Sequence, residues 1–397
     1  MVVLSNNDGC VIARSEESKA LGIKMGDVFY QVKDVLEKNG VAVFSSNYNL
    51  YGDMSRRVMS LLSTYTPKLD IYSIDEAFLD LTGMGDMEFL SSYCKQMVRD
   101  ITKGTGIPIS LGVAPTKTLA KMASKYAKKH KGYEGACFID TEEKREKALK
   151  LFPVEDVWGI GYRHVKKLAY HGIHTAWDLT QRSESWIRKE LTITGVRTWK
   201  ELRGESCVSI DEPPHKKSIC TSRSFSGSGL NKLADVEEAV ANFAAACSRK
   251  LREGHIVCSS VTVFAHTSRF RIDVPQNYIY RTINLVVPTN DMQELVSVAV
   301  KTLREDWKEG GFLYKKAGVI VWNTCEDKAI QGNLFDEVNR EKQAALAKAI
   351  DAINHKNGHN TIRMAVQGYS RNWHLKNEYI SKQYTTNLKD IIVVKAK

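Results

Sequence analysis

Tyr72-Ser73-Ile74-Asp75-Glu76-Ala77-Phe78-Leu79-Asp80-Leu81, residues 72–81, sets two short apolar runs on either side of adjacent carboxylates. The apolar residues Tyr72, Ile74, Ala77, Phe78, Leu79 and Leu81 predict a strand hairpin buried in a sheet, with Asp75 and Glu76 at its tip. Packing gives such an acid pair no purpose, and a carboxylate buried without a partner is expensive, so the pair points to a cation. Hard oxygen ligands suit Mg2+, and two such ions bridging phosphate oxygens suit in-line attack of a hydroxyl on a nucleoside triphosphate. The competing reading is an exposed turn that happens to be acidic, which is the better one for an isolated Asp-Glu dipeptide.

The flanking sequence fits a sheet backed by helices. Leu50, Met54, Val58, Leu61 and Leu62 have helical spacing over 48–64, a second helix is predicted from Glu88 to Lys103, and Ile107 to Val113 reads as a strand pairing with the acidic hairpin. Strand-like runs also occur at Val2 to Leu4 and Val41 to Phe44. Wound as a helix, 116–131 has Leu119, Met122, Ala123 and Tyr126 on one face and Lys117, Lys121, Lys125 and Lys128 on the other. Lys121 and Lys125 read as a solvated face, whereas Lys117 and Lys128 are candidates to neutralise a triphosphate held by the acids.

Texture changes near residue 153. Pro153 to Trp158 leads into Gly159-Ile160-Gly161 and then YRHVKKLAYHG, in which Val165, Leu168 and Ala169 keep helical spacing. Helix, glycine hairpin, helix is the pattern of a helix-hairpin-helix module, whose Gly159 and Gly161 let backbone N–H groups approach DNA phosphates without reading sequence. A plain helix-helix turn also favours glycine; Arg163, Lys166 and Lys167 tip the balance toward phosphate. A helical stretch to Leu202 completes a small helical domain, and 206–217, with Pro213 and Pro214, reads as a linker. Beyond it come a strand (218–226), helix (235–253), strand (256–266), strand (281–287), helix (291–309) and strand (315–322), the β-α-β-β-α-β order of a ferredoxin-like domain. Arg223, Arg269, Arg271 and Arg281 are candidate phosphate contacts on it, or plain surface arginines. Gln331, Leu334 and Phe335 then form either a pair of apolar residues docked on their own protein or a short linear motif for a partner's pocket. One more helix is expected after Asn339, followed by an aromatic, basic tail.

Composition agrees with a polyanion partner. The 397 residues carry 57 Lys and Arg against 46 Asp and Glu, a formal charge of +11, which attracts DNA, RNA or an anionic surface. No apolar run approaches a membrane span and no signal pattern opens the chain, so a cytoplasmic protein with no membrane partner is expected. Eight cysteines without a CxxC pair suggest reduced, buried thiols rather than zinc or disulfides.

SNNDGCVIARSEESKALGIKMGD, FSSNYNLYGDMSRRVMSLL, YSIDEAFLDLTG, LGVAPTKTLAKMASKYAKK, VEDVWGIG and QGNLF, in that order, resemble the UmuC family of Y-family translesion DNA polymerases. The tail QGYSRNWHLKNEYISKQYTTN is similar to the carboxyl-terminal extension of that family. The resemblance implies a multidomain α+β right-hand polymerase: fingers at 1–47, palm at 48–147, a helical thumb at 148–205, a linker at 206–217, a ferredoxin-like little finger at 218–325, and a clamp-binding motif with the extension at 326–397. It implies error-prone synthesis across damaged template in the SOS response, with two Mg2+ ions as cofactors. Damaged DNA primer-template, dNTPs, the sliding clamp, a UmuD′ dimer and the RecA filament are the implied partners. Position by position, Asp75 and Glu76 resemble the catalytic metal ligands, while Lys19 and Lys128 resemble the residues on the incoming triphosphate. Gln331, Leu334 and Phe335 resemble the clamp-binding motif. In the family a strand bearing the first metal-binding aspartate, and an aromatic steric gate against a ribose 2′-OH, precede SNNDGC; here Met1-Val2-Val3-Leu4 comes directly before it, and Asp8 lies within the fingers sequence. The expectation is therefore activity lowered by orders of magnitude, with a non-catalytic DNA- and clamp-binding remnant or competitor as the alternative.

Overall fold

Helix starts are written into the sequence as side-chain caps. Ser15, Asp86, Thr116, Thr141, Thr175, Ser183, Asp291 and Asn339 each accept a backbone N–H from three residues ahead, satisfying one of the orphan donors of a first turn. The computed structural model describes residues 1–208, 216–328, 330–336, 338–358, 360–369, 373, 375 and 377–394. Most of the expected linker, residues 209–215, lies outside the described residues, as do parts of the tail.

The chain opens with β1 (Val2–Leu4), β2 (Val11–Arg14), α1 (Glu16–Ala20), α2 (Phe29–Lys38) and β3 (Val43–Ser45). Helix α3 (Tyr48–Leu62) precedes β4 (Leu69–Ile71), β5 (Ala77–Leu79), α4 (Met87–Thr105), β6 (Leu111–Val113), α5 (Lys117–Lys129), β7 (Ala136–Phe138) and α6 (Glu142–Leu151). Three helices follow, α7 (Tyr162–Tyr170), α8 (Ala176–Thr180) and α9 (Glu184–Leu202). Then come β8 (Ser218–Ser224), α10 (Leu233–Glu253), β9 (Ile256–Thr267), β10 (Tyr278–Thr289), α11 (Met292–Asp306), β11 (Tyr314–Glu326) and α12 (Arg340–Asn357). Contacts divide these elements into two units, described residues 1–47 with 216–381, and 48–208 with 382–394.

In the first unit, β1 is the central strand of a three-stranded sheet, antiparallel to β2 and parallel to β3. Val2, Leu4, Val11, Ile23 and Leu36 form its core. The expected β-α-β-β-α-β order is present from β8 to β11, in an antiparallel sheet of order β10-β9-β11-β8. Each helix joins strands that flank a third, β11 between β8 and β9, and β9 between β10 and β11. Val236, Val240 and Phe243 of α10 and Leu295, Val296 and Leu303 of α11 pack with Val261, Val263, Val319 and Val321 of the sheet. Alternation along β10 leaves Tyr278, Tyr280, Thr282 and Asn284 exposed on the sheet's other face. Helix α12 has no buried residue; ion pairs from Asp351 to Arg252 (2.6 Å) and from Arg340 to Glu294 (2.6 Å) hold it to α10 and α11.

In the second unit, Val58, Met59 and Leu62 of α3 pack against Met97 and Ile101 of α4. Strands β4 and β5 form the expected hairpin, Leu69 opposite Leu79 and Ile71 opposite Ala77. The strand expected over 107–113 is reduced to β6, which pairs in parallel with β7 rather than with the hairpin. Gly112 explains how α5 lies so close to β6: a Cβ there would sit 2.0 Å from the Ala120 carbonyl oxygen. Leu119, Met122 and Ala123 of α5 share one core with Leu168, Leu179, Ile187 and Leu202 of the following helices. Buried Glu201 reinforces that joint, accepting the backbone N–H groups of Thr118 at 2.9 Å, Cys207 at 2.9 Å and Val208 at 3.1 Å. The helix expected before the glycine hairpin is a single 3-10 turn, Val154–Asp156, and α9 is kinked at Thr192 (φ 65°).

Candidate active site

The loop from Tyr72 to Glu76 closes the β4-β5 hairpin because the N–H groups of Tyr72 and Ser73 both donate to the Glu76 carbonyl, at 3.0 Å each. Asp75 and Glu76 thus stand together at the tip. Ser73 orients the first of them: its hydroxyl donates to Asp75 Oδ1 at 2.6 Å and accepts the Asp75 N–H at 3.2 Å. Both carboxylates are exposed, as are Tyr72 and Ile74, which corrects the expectation of a buried hairpin. Water can solvate an exposed acid, so burial does not supply the case for a cation here. The groups behind the tip hold it in place.

Glu76 Oε1 accepts from Lys121 Nζ at 2.8 Å. That ammonium lies 4.9 Å from the Tyr72 ring centre and 5.3 Å from that of Trp158. Trp158 meets Tyr72 edge-on at 5.5 Å and Phe78 at 5.7 Å, and its Nε1–H donates to the Tyr72 hydroxyl at 3.3 Å. Lys117 sits 4.8 Å from the Phe78 ring and pairs with Asp70 at 2.7 Å. Two ammonium groups and three aromatic rings therefore back the acid pair, each cation against a π-face that suits it.

Lys121 and Lys125 do not form the solvated face expected of them. The Lys121 side chain is only 23% exposed and Lys117 only 10%, and Lys125 pairs with Asp156. Lys128, the triphosphate candidate, is exposed in the last turn of α5, on the same face as these three. Lys19 lies in the first unit, exposed on α1 and paired with Glu16 at 2.5 Å. Lys121 and Trp158 are the site residues that sequence reasoning missed. The i, i+4 spacing of Lys117 and Lys121 puts them on one face, but their partners are 45 and more residues away in sequence.

Gly159 has φ +90°, a left-handed conformation that favours glycine, and a Cβ there would meet the Thr198 hydroxyl at 2.8 Å. Gly161 is the N-cap of α7 with nothing within 4 Å of its Cβ position, so its backbone is open to an approaching phosphate. Leu334 is fully exposed and Phe335 is 88% exposed, which removes the reading of a pair docked on its own protein; Gln331 is exposed beside them. Of the arginines on the ferredoxin-like domain, Arg271 pairs with Asp273 and Arg281 with Glu305 and Asp306, while Arg223 lies over the Trp373 ring and Arg269 over Phe270.

As a donor set, two exposed carboxylates and the Ser73 hydroxyl are all hard oxygen atoms, which fits a hard divalent cation. Among the described residues no group of three or more His, Cys, Asp or Glu is gathered at one point. Among them, too, no helix is long and apolar enough to cross a membrane.

Residues 1–125 match the impB/mucB/samB family and 216–334 its C-terminal domain, and residues 344–394 match a domain described only as of unknown function. Protein UmuC of Salmonella typhimurium is 41% identical over all of this chain and 94% of its own length. The chain belongs to the impB/mucB/samB family. Other relatives of this UmuC-like, Y-family DNA polymerase include Protein MucB of Escherichia coli, 35% identical over 100% of the chain and 94% of its own length. DNA polymerase IV of Clostridium acetobutylicum is 25% identical over 90% of the chain and 87% of its own length. Among solved structures, a Y-family DNA polymerase chimera of Dbh and Dpo4 superposes with a TM-score of 0.64 at 19% identity, covering 82% of this chain and 92% of its own. That likeness shows the impB/mucB/samB member to have the palm, fingers, thumb and little-finger fold.

Proposed function

We propose that this polymerase carries out translesion DNA synthesis, adding dNTPs to a primer 3′-hydroxyl on damaged template, with the β4-β5 tip as its catalytic point. The observation that carries the reading is the exposed Asp75-Glu76 pair, oriented by Ser73 and Lys121 within a chain of the impB/mucB/samB family. Residues 1–47 act as fingers, 48–147 as palm, 148–205 as thumb, 218–325 as little finger, and 326–397 as clamp motif with extension. Asp75 and Glu76 would hold Mg2+, which when bound neutralises phosphate charge and activates the attacking hydroxyl. Ser73 keeps one carboxylate aimed outward, and Lys121 fixes the other. Lys128 and Lys19 serve the triphosphate as point charges. Gly159 makes the turn and the open backbone at Gly161 presents it, and together they hold the DNA phosphates, contacts that position without specifying sequence.

Gln331, Leu334 and Phe335 stand exposed as anchors for the sliding clamp, and UmuD′ and RecA are the further protein partners of a cytoplasmic damage-tolerance polymerase. The test is primer extension across an abasic template site with Mg2+ and four dNTPs, comparing the chain with Asp75→Asn. Extension that is lost in the variant supports the reading. A chain that binds primer-template but never extends it is instead the non-catalytic competitor.

A further inference from the structure

The edge of β3 is occupied by the chain's own tail. Ser45 and Ile380 form a parallel bridge, the Ser45 N–H donates to the Tyr379 carbonyl at 2.9 Å, and the Tyr379 N–H donates to the Ser45 hydroxyl at 3.0 Å. The Asn47 side-chain amide donates to Ser381 twice, to its carbonyl at 3.0 Å and its hydroxyl at 3.1 Å. The Glu378 N–H donates to the Asp8 carboxylate at 2.9 Å. The Tyr379 ring meets Phe29 edge-on at 5.7 Å and packs on the Val2, Leu4, Val11, Ile23 and Leu36 core.

These contacts answer a need. Ser45, Ser46 and Asn47 are almost wholly buried at the end of an edge strand. Ser46 is satisfied within the sheet, donating to the Leu4 carbonyl at 2.6 Å, whereas Ser45 and Asn47 draw on the tail. Asp8, held at φ 52° between β1 and β2, likewise takes a donor from it. Buried polar groups need partners and an edge strand needs cover. The segment is also secured upstream on α10: the Gln367 carbonyl accepts from Asn242 at 2.8 Å, and Trp373 Nε1 donates to Glu238 at 3.1 Å beside the Phe243 ring.

We propose that the extension, whose family match is a domain of unknown function, is an intrachain strap, and that the β3 edge with Asp8, Ser45 and Asn47 is a peptide-binding slot whose occupant is this chain's own 378–381 segment. Backbone pairing gives the slot its hold, and the aromatic ring at 379 gives it selectivity. The strap joins the ferredoxin-like domain to the amino-terminal sheet, so that sheet is complete only when the tail is seated.

Hydrogen exchange on the full chain tests this. Tyr379→Ala should speed exchange of the Ser45 amide by about tenfold or more, with α10 amides unchanged and Tyr379→Phe close to the parent chain. Glu378→Pro, which deletes the N–H donated to Asp8 but keeps the ring, should act in the same direction. A labelled peptide, NEYISKQ, should bind the Tyr379→Ala chain and be excluded by the parent. Ser45 exchange unchanged in both variants while α10 stays protected would overturn the proposal. So would a dimer of the parent chain whose tails are exchanged between copies, since the occupant would then be a second chain.

Discussion

Trp158→Ala is the sharpest perturbation of the site that leaves the acids themselves untouched. It removes ring contacts to Tyr72 and Phe78 at 5.5 and 5.7 Å and one face of the Lys121 cation. Each ring pair is worth about 0.5–1.5 kcal/mol, and an exposed cation–π contact about 0.5–1 kcal/mol. The indole is half-buried, so the lower half of those ranges applies, and the hairpin tip loses about 1.5–2.5 kcal/mol of hold. That corresponds to a rise of roughly tenfold to sixtyfold in the population of the open tip. The assay is amide exchange at Tyr72 and Ser73, whose N–H groups close the loop on the Glu76 carbonyl. Trp158→Phe should fall between the parent and Trp158→Ala, and α4 should stay protected throughout. Exchange at Tyr72 and Ser73 within about twofold of the parent in Trp158→Ala would refute the claim that the ring cluster braces the tip.

Leu334→Ala with Phe335→Ala should weaken sliding-clamp binding by about thirtyfold or more, while Tm is unmoved because both side chains are exposed; surface plasmon resonance and calorimetry check the two halves. Gly112→Ala drives a Cβ to 2.0 Å from the Ala120 carbonyl and 2.2 Å from the Ser124 nitrogen, backbone atoms that no rotamer change can move. Its cost should reach about 2–4 kcal/mol, and a Tm within ~1 °C of the parent would count against the packing described. Burial pushes the Cys94 thiol up to about 11 and Cys258 up to about 12, above the roughly 8.5 of a free thiol. The folded chain then keeps protons that the unfolded chain releases, so stability is full below about pH 8.5 and falls as pH rises through 9 to 11. Cys258→Ala should flatten that decline in thermal melts at pH 8, 9.5 and 10.5; an unchanged slope would contradict it.

What could be read from the chain followed the range of the forces involved. Helical and strand periodicity is local, so α3, α4, α5, α10, α11 and the four strands of the ferredoxin-like domain were visible within a few residues of their ends. The acidic hairpin was visible for the same reason, since β4, the tip and β5 fall within eleven residues. The three- and four-residue strands β7 and β2 and the weakly amphipathic α6 carry too little periodic signal to announce themselves, whereas α2 does carry an apolar face in Phe29, Val32 and Leu36. Tyr72 and Ile74 read as core residues in the sequence, whereas in the fold Tyr72 turns its ring toward Trp158 and leaves the carboxylates in solvent. In the sequence Lys121 reads as a surface residue, because its partners, Glu76 and Trp158, approach only in the folded chain. The pairing of residues 378–381 with β3 spans more than 330 positions, and no local pattern could have disclosed it.

The most direct measurement is single-nucleotide incorporation on a primer-template at saturating dNTP, with Mg2+ varied and Asp75→Asn and Glu76→Gln beside the parent chain. The parent should incorporate with a saturable Mg2+ dependence. Each substitution should lower the rate by two orders of magnitude or more, the scale of losing one group that stabilises transition-state charge, with primer-template affinity kept. Incorporation by the parent that either variant matches would contradict the assignment of the Asp75-Glu76 tip as the catalytic point.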